Sequence, residues 1–501
     1  MKCEFNWPEN INIQYRDLIK YYDLIKTYGF SIDPLSYDFV YSHIPVGRLY
    51  KANDKLLPGK IFKEFKEEST FYIHIPFCQR RCAYCYFVKE PFSDSDALKE
   101  YLDYLKKEVD IVKQLIKKDN IKSIYIGGGS PSILNEKQIE FLFNNIIAPI
   151  KTDGIEIAVE LHPENTTKEK LKTLKENGVT RVSLGVQTFD DTILSRMNRC
   201  NGNLKEVIEL VKSQFDNWNV DMIYGLPGQT PCIIEKDIEK ILQYDPPSLT
   251  WYQLWYAPRK KDHQILMSKF PREAFMSREE IIKTRLLIDT KMREKDYKNY
   301  SGEWYVKNNN NYTTYERFKI EAKGNIGIGL GIYQYYGDYI FENTEDLNEY
   351  KYWLDQNILP IKWYRRMSPA EKTIRKICMN IKGLDEAGSI NEEDLGVLKT
   401  GFQDYKIEKF LEKINILIDK KLLISDNNCQ YKLNPNVSIL RDYIIKFLLK
   451  DSGWYIEREG FGESLNKIDL DRAIESFVRY AKANFRQDVR WSLSLFFGIF
   501  D

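Results

Sequence analysis

Between residues 70 and 260 the apolar positions switch between two spacings. Short β-branched or aromatic runs at 71–75, 121–126, 155–161, 181–186, 220–224 and 250–255 predict strands. The charged stretches at 95–118, 136–147, 168–177, 203–214 and 232–243 repeat apolar residues every three or four positions and predict amphipathic helices. Gly178 ends the third of these, because a left-handed residue stops a helix at little cost when it is glycine. Strands alternating with helices in this way predict an α/β fold of parallel βαβ units in a barrel or open sheet, about six units in all and short of the eight of a full barrel.

The rhythm weakens on both sides. Residues 1–69 form an N-terminal extension with one predicted helix at 13–27, and 70–260 form the core. Residues 261–365 link or complete it, with a helix at 278–294, a polar loop at 308–311 and a glycine-rich return at 324–331. The remainder, 366–501, predicts a mostly helical domain. Helices at 368–380, 391–398 and 407–420 precede a strand pair at 422–425 and 430–433, a winged-helix-like order, and the aromatic tail 454–501 is expected to pack on the body.

Charge bears on what the last domain does. Lys and Arg number 74 against 73 Asp and Glu, a formal charge of +1. Nucleic-acid binders leave a basic excess, so a structural or lid role is expected instead of DNA binding. No apolar run approaches the ~20 residues that span a bilayer. The N-terminus lacks an apolar signal core, so a cytoplasmic protein with no membrane partner is expected.

Of the chain's eight cysteines, Cys78, Cys82 and Cys85 crowd the end of the first predicted strand as C-x-x-x-C-x-x-C. Thiolates on one irregular loop suit a soft metal centre, and three donors would leave one iron of a 4Fe–4S cluster open for chemistry. A zinc site would need His74, which sits inside the strand. Cys3, Cys200, Cys232, Cys378 and Cys429 stand singly and read as ordinary thiols. Gly127–Gly129 follow a strand directly, where backbone amides can approach a ligand, and no Gly-Lys-Ser/Thr follows as in a phosphate loop. Glu156, Ala158 and Glu160 share one strand face, which sets Glu160 at the strand end as an acceptor. Gln187 and Asp221 close or open the next two strands, where functional groups of such folds gather. His162 reads as a structural strand-end histidine, and Gly327–Gly331 lie in no strand–helix dinucleotide unit.

The cysteine loop resembles that of radical S-adenosylmethionine (SAM) enzymes. Its surroundings resemble the subfamily typified by oxygen-independent coproporphyrinogen III dehydrogenase. Tyr72-Ile-His-Ile-Pro-Phe-Cys78, Gly127-Gly-Gly-Ser-Pro-Ser132, Glu156-Ile-Ala-Val-Glu160, Ser183-Leu-Gly-Val-Gln187, Arg196-Met-Asn-Arg199 and Asp221-Met-Ile-Tyr-Gly-Leu-Pro227 occur in that family's order. The resemblance implies a partial (β/α)6 barrel with a 4Fe–4S cluster at the C-terminal edges of its strands, held by Cys78, Cys82 and Cys85, that reductively cleaves SAM to methionine and a 5′-deoxyadenosyl radical. It implies that Tyr72, Tyr84, Gly128, Gly129, Ser130, Glu160, Gln187, Arg199, Asp221 and Ala257 surround SAM, two molecules in all. A reductant such as flavodoxin or ferredoxin and a small-molecule substrate, a secondary metabolite or a tetrapyrrole, are implied as partners.

Two departures shape the functional expectation. Where the dehydrogenases carry a further cysteine this chain has Phe87, an aromatic that resembles the methyltransferase, haem-utilisation and haem-chaperone branches. The chaperone branch carries a His-Asn-x-x-Tyr-Trp element, whereas Asn309-Asn310-Asn311-Tyr312 has no histidine. Radical C-methylation or related carbon–carbon bond formation is therefore the first expectation. Tetrapyrrole processing, by coproporphyrinogen decarboxylation or haem modification, and non-catalytic haem carriage are the alternatives.

Overall fold

The computed structural model describes residues 5–27, 50–51, 57–62, 66–85, 87–88, 90–91, 94–254, 266, 269–308, 311–383, 390–401, 405–425 and 430–449. Ala257, Cys3, Cys429 and the 454–501 tail lie outside the described residues.

Thirteen strands among the described residues form the main sheet. In chain order they are β1 (Tyr50–Lys51), β2 (Ser69–Ile75), β3 (Ile121–Gly128), β4 (Glu156–Leu161), β5 (Arg181–Gln187), β6 (Trp218–Tyr224), β7 (Ser248–Gln253), β8 (Lys298–Asn299), β9 (Trp304–Val306), β10 (Gly324–Ile328), β11 (Tyr333–Tyr336), β12 (Tyr339–Asn343) and β13 (Ile361–Arg366). Their spatial order is β1-β13-β12-β11-β10-β2-β3-β4-β5-β6-β7-β9-β8. The expected six parallel strands, β2 to β7, lie side by side, and β10 adds a seventh parallel neighbour beyond β2. Antiparallel strands flank both ends, so the sheet stays open.

Two-residue alternation explains the layers. Ile73, Ile124, Ile126, Ile157, Val159, Val182, Leu184, Val220, Met222 and Leu249 are all buried in one apolar cluster, together with Leu98, Leu102, Leu105 and Val109 of helix Ser95–Val112. The intervening positions fall on the other face. There Tyr72 lies beside Tyr125 and Tyr125 beside Ala158, Glu160 beside Ser183, and Gly185 beside Asp221. One face thus excludes water and the other keeps its polar groups for a cavity.

Local chemistry sets the crossovers. Asp94, Thr167, Asp190 and Thr230 accept from helix N-termini, and Asn135 with Gln138 forms a capping box. The helix predicted to reach residue 118 ends at Val112, and a short helix, Asp191–Arg196, was not foreseen by the apolar spacing. The glycine-rich return is a sheet strand. A side chain at Gly327 would collide with the Tyr72 carbonyl, so glycine lets β10 lie against β2. The expected winged-helix-like order is present as helices Pro369–Lys382, Glu392–Gly401 and Tyr405–Asp419 with strands Leu423–Ser425 and Gln430–Leu433. A third short strand, Ile390–Asn391, joins that pair.

Candidate active site

A cavity of about 420 Å³ opens over the polar face at the C-terminal ends of the parallel strands. Every described residue that the sequence singled out as a ligand lines it: Tyr72, Cys78, Cys82, Tyr84, Cys85, Gly128, Gly129, Ser130, Glu160, Gln187, Arg199 and Asp221.

The thiol loop is tied down at several points. Phe77–Cys78 pairs with Glu90–Pro91, and the Glu90 amide donates to the Pro76 carbonyl at 2.7 Å, closing the loop at its base. Across the sheet, the Ala83 amide donates to Met197 O at 2.9 Å and Asn198 Nδ2 to Arg81 O at 3.0 Å. Arg80 pairs with Glu164 at 3.0 Å. Gly129 packs beneath the loop: a Cβ there would lie 2.7 Å from Phe77 O and 2.9 Å from Cys78 Sγ. Gly128, at φ +115°, would strike the His74 ring. These contacts require glycine at both positions.

Cys78, Cys82 and Cys85 form no disulfide and line the cavity. Among the described residues, no three His, Cys, Asp or Glu side chains already converge as around a metal ion. The donor set fits an iron–sulfur cluster, and the loop would draw its thiols together on binding it. Arg199 Nη1 stands 3.5 Å from Cys82 Sγ. The zinc alternative loses its fourth ligand. His74 is 4% exposed, and its Nε2 faces the Val88 carbonyl at 3.0 Å, which can only accept. Nε2 therefore carries the proton, Nδ1 accepts from the Tyr72 hydroxyl at 3.3 Å, and burial lowers the ring's pKa to about 4. Cys200 and Cys378 are free, whereas Cys232, expected as a thiol, is disulfide-bonded.

Glu160 accepts from the Tyr125 hydroxyl at 3.1 Å and the Gly128 amide at 3.2 Å. Burial, then the nearby Asp221 carboxylate, raises its pKa to about 7. Next to it Tyr125 stacks on Tyr315 at 4.6 Å between centroids, and Tyr72 on both at 6.1 and 5.8 Å. That aromatic wall offers a flat surface beside an acceptor. Asp221 accepts from Ser183 and Asn219, each at 2.8 Å, and burial raises its pKa.

Gln187 ends β5 in a left-handed conformation, φ +72°, at a register shift against β6. A non-glycine residue held there costs energy, and such positions cluster where a side chain must be aimed. Its buried Oε1 has no hydrogen-bond partner. Arg199 is buried and donates to Gly185 O and, at 3.0 Å, to Asn201 Oδ1. Burial opposes its charge, yet Tyr84, Cys82 and Cys85 tip its pKa upward. His162, expected to be structural, also lines the cavity; its Nδ1 accepts from the Glu164 amide at 3.2 Å, and burial and Arg199 lower its pKa to about 3.

The sequence reading missed the far wall. Tyr125, Tyr252, Tyr315, Glu316 and Lys319 line the same cavity, and so do Tyr333, Tyr335, Arg375, Met379 and Lys382. Tyr125 was detectable, since it is in phase with Gly127 along the strand. The rest lie on elements far along the chain, and no local motif marks them.

Comparison with known proteins agrees with this architecture. The model of the Radical SAM superfamily matches residues 72–241. The chain is 29% identical over 413 residues to the heme chaperone HemW of Lactococcus lactis subsp. lactis, covering 77% of this chain and 99% of that one. It is 25% identical over 313 residues to the oxygen-independent coproporphyrinogen III oxidase of Synechocystis sp., covering 59% and 66%. The structure of coproporphyrinogen III oxidase (HemN) from Escherichia coli superimposes with a TM-score of 0.70 at 17% identity, over 80% of this chain and 95% of that one. Radical C-methylation, the first expectation from Phe87, finds no support in these relatives. No helix among the described residues is long and apolar enough to cross a membrane. A radical SAM domain implies a 4Fe–4S cluster and SAM, and the thiol loop, the glycine turn and Glu160 are where this chain would hold them. Residues 72–241 thus carry a radical SAM domain, and the chain is similar in sequence and fold to oxygen-independent coproporphyrinogen III oxidases.

Proposed function

We propose that this protein binds a tetrapyrrole beside a cluster-bound SAM, as a tetrapyrrole-processing enzyme or haem carrier. The observation that carries the reading is a single cavity joining the thiol loop, the Glu160–tyrosine wall and an aromatic, cationic wall from beyond the matched domain. The chemistry such a cluster would supply when bound is one-electron reduction of SAM. The chain's own residues do the positioning. Cys78, Cys82 and Cys85 would hold the cluster, and the Gly128–Ser130 backbone would meet the amino-acid end of SAM. Glu160 would accept from its ribose hydroxyls, and the Tyr72–Tyr125–Tyr315 stack beside it would exclude water. Gln187, Arg199 and Asp221 line the same cavity and would hold the second SAM. The half-exposed ring of Phe87, also on the wall, offers a macrocycle an apolar face.

The test is anaerobic reconstitution with iron and sulfide, followed by titration with haemin and coproporphyrinogen III in the presence of SAM and dithionite. A shifted Soret band on haemin binding, or carbon dioxide release with 5′-deoxyadenosine, is expected. Formation of S-adenosylhomocysteine with a methylated product, and no tetrapyrrole binding, would overturn the reading.

A further inference from the structure

Helix Pro369–Lys382 lies outside the matched radical SAM domain, yet one of its faces reaches the cavity. Arg375, Met379 and Lys382 follow an i, i+4, i+7 spacing and line the cavity. Ile374, Ile377, Cys378 and Ile381 belong to the apolar cluster, and Met379, at the border, belongs to it as well. A helix anchored by its apolar residues thus directs two cations and a thioether into a cavity.

Both cations are largely removed from bulk water: Arg375 is 2% exposed and Lys382 5%. The Arg375 guanidinium lies 4.1 Å over the Tyr335 ring, which orients its plane. Burial lowers its pKa, with Tyr335 and Tyr333 acting the other way. Burial also brings Lys382 to about 8, against the pull of Asp442 and Glu303. Asp442 stands 3.9 Å away, at the outer limit of an ion pair, and Glu316 and Lys319 face the same region. Desolvated cations on a cavity wall gain most from an anion that enters with its own hydrogen-bond acceptors.

We propose that Arg375 and Lys382 form a carboxylate-binding subsite that takes the acidic side chains of the ligand, with Met379 and Tyr335 bordering its apolar body. The inference rests on the tetrapyrrole reading and names what fixes the ligand's orientation. The planar guanidinium suits a carboxylate held through two oxygens.

Haemin and haemin dimethyl ester test it, since they share iron and macrocycle and differ in the charge of two propionates. The wild-type, cluster-loaded protein should bind haemin ~10-fold or more tightly than the ester, as loss of a charge-assisted contact predicts. Lys382→Met and Arg375→Gln should each shrink that preference, and Arg375→Lys should retain part of it. Equal binding of acid and ester by the wild type would overturn the subsite and leave the tetrapyrrole reading standing. An undiminished preference in Lys382→Met and Arg375→Gln would overturn it too. Binding of neither ligand by the wild type would overturn both proposals together. The wild-type comparison decides even where a variant fails to fold.

Discussion

Glu108 and Glu160 are two buried carboxyls with the same direction of pKa shift and different surroundings. Glu108, 1% exposed on helix Ser95–Val112, accepts from the Gly329 amide and Asn343 Nδ2, each at 2.8 Å, and from the Tyr350 hydroxyl. Asn343 also donates to Gly329 O at 2.9 Å, and Gln334 accepts from the Gly327 amide at 2.9 Å. Tyr101 bridges this knot to the His74 carbonyl at 3.0 Å. The carboxyl is enclosed by protein donors and fastens β10 and β12 behind the sheet. Burial raises its pKa to about 8. Glu160 has two protein donors, faces a cavity and is raised to about 7. A raised pKa therefore does not identify a functional acid; the open side does.

The comparison can be broken most decisively at the thiols. Replacing Cys78, Cys82 or Cys85 with Ala should abolish cluster loading and SAM cleavage, while thermal unfolding stays near wild type. Retained SAM cleavage in any of the three would remove the cavity's claim to be the reactive region. The carboxyls come next. Glu108→Ala strands three donors in the interior and should lower stability by about 3 kcal/mol in denaturant titrations. Glu160→Ala opens only onto the cavity and should leave stability nearly unchanged while weakening SAM binding ~10-fold or more. The reverse pattern would exchange the roles assigned to the two residues.

The smallest effect is in the pH dependence. An acid with a raised folded pKa binds more protons when folded. Its stabilising contribution is complete below the ordinary value of 4.5 and is lost as pH rises to about 8 for Glu108. Glu108→Gln should flatten the decline of wild-type stability over that window, measured by unfolding at fixed ionic strength. Glu160 contributes with the same sign up to about 7. Since SAM is cationic, its affinity should rise through that pH as Glu160 ionises, and Glu160→Gln should remove the rise.

Much of the site was legible because the strands obey a period of two. Once Tyr72 and Glu160 were placed on strands, their facing followed, and Gly127–Gly129 marked the turn. The thiol spacing announced metal chemistry by itself. The glycine return misled in part, since Gly327 serves a close strand pairing that no local pattern reveals. The short helix Asp191–Arg196 escaped for a related reason: at six residues it is shorter than the periodicity needed to see it. Tyr315, Lys319, Arg375 and Lys382 were invisible as site residues, because on a helix an Arg or Lys usually marks a solvated face.

By itself the sequence determined the parallel βα order, the three-thiol loop and the residues at the strand ends. Each follows from interactions within a few residues, where periodicity and spacing fix geometry. The tertiary structure alone decided that β10 joins the parallel strands beside β2, that His74 Nε2 is spent on Val88, and that a helix from 369–382 walls the cavity. Those outcomes depend on contacts between segments separated by 14 to more than 250 residues, where burial and steric fit, not local pattern, select the neighbour.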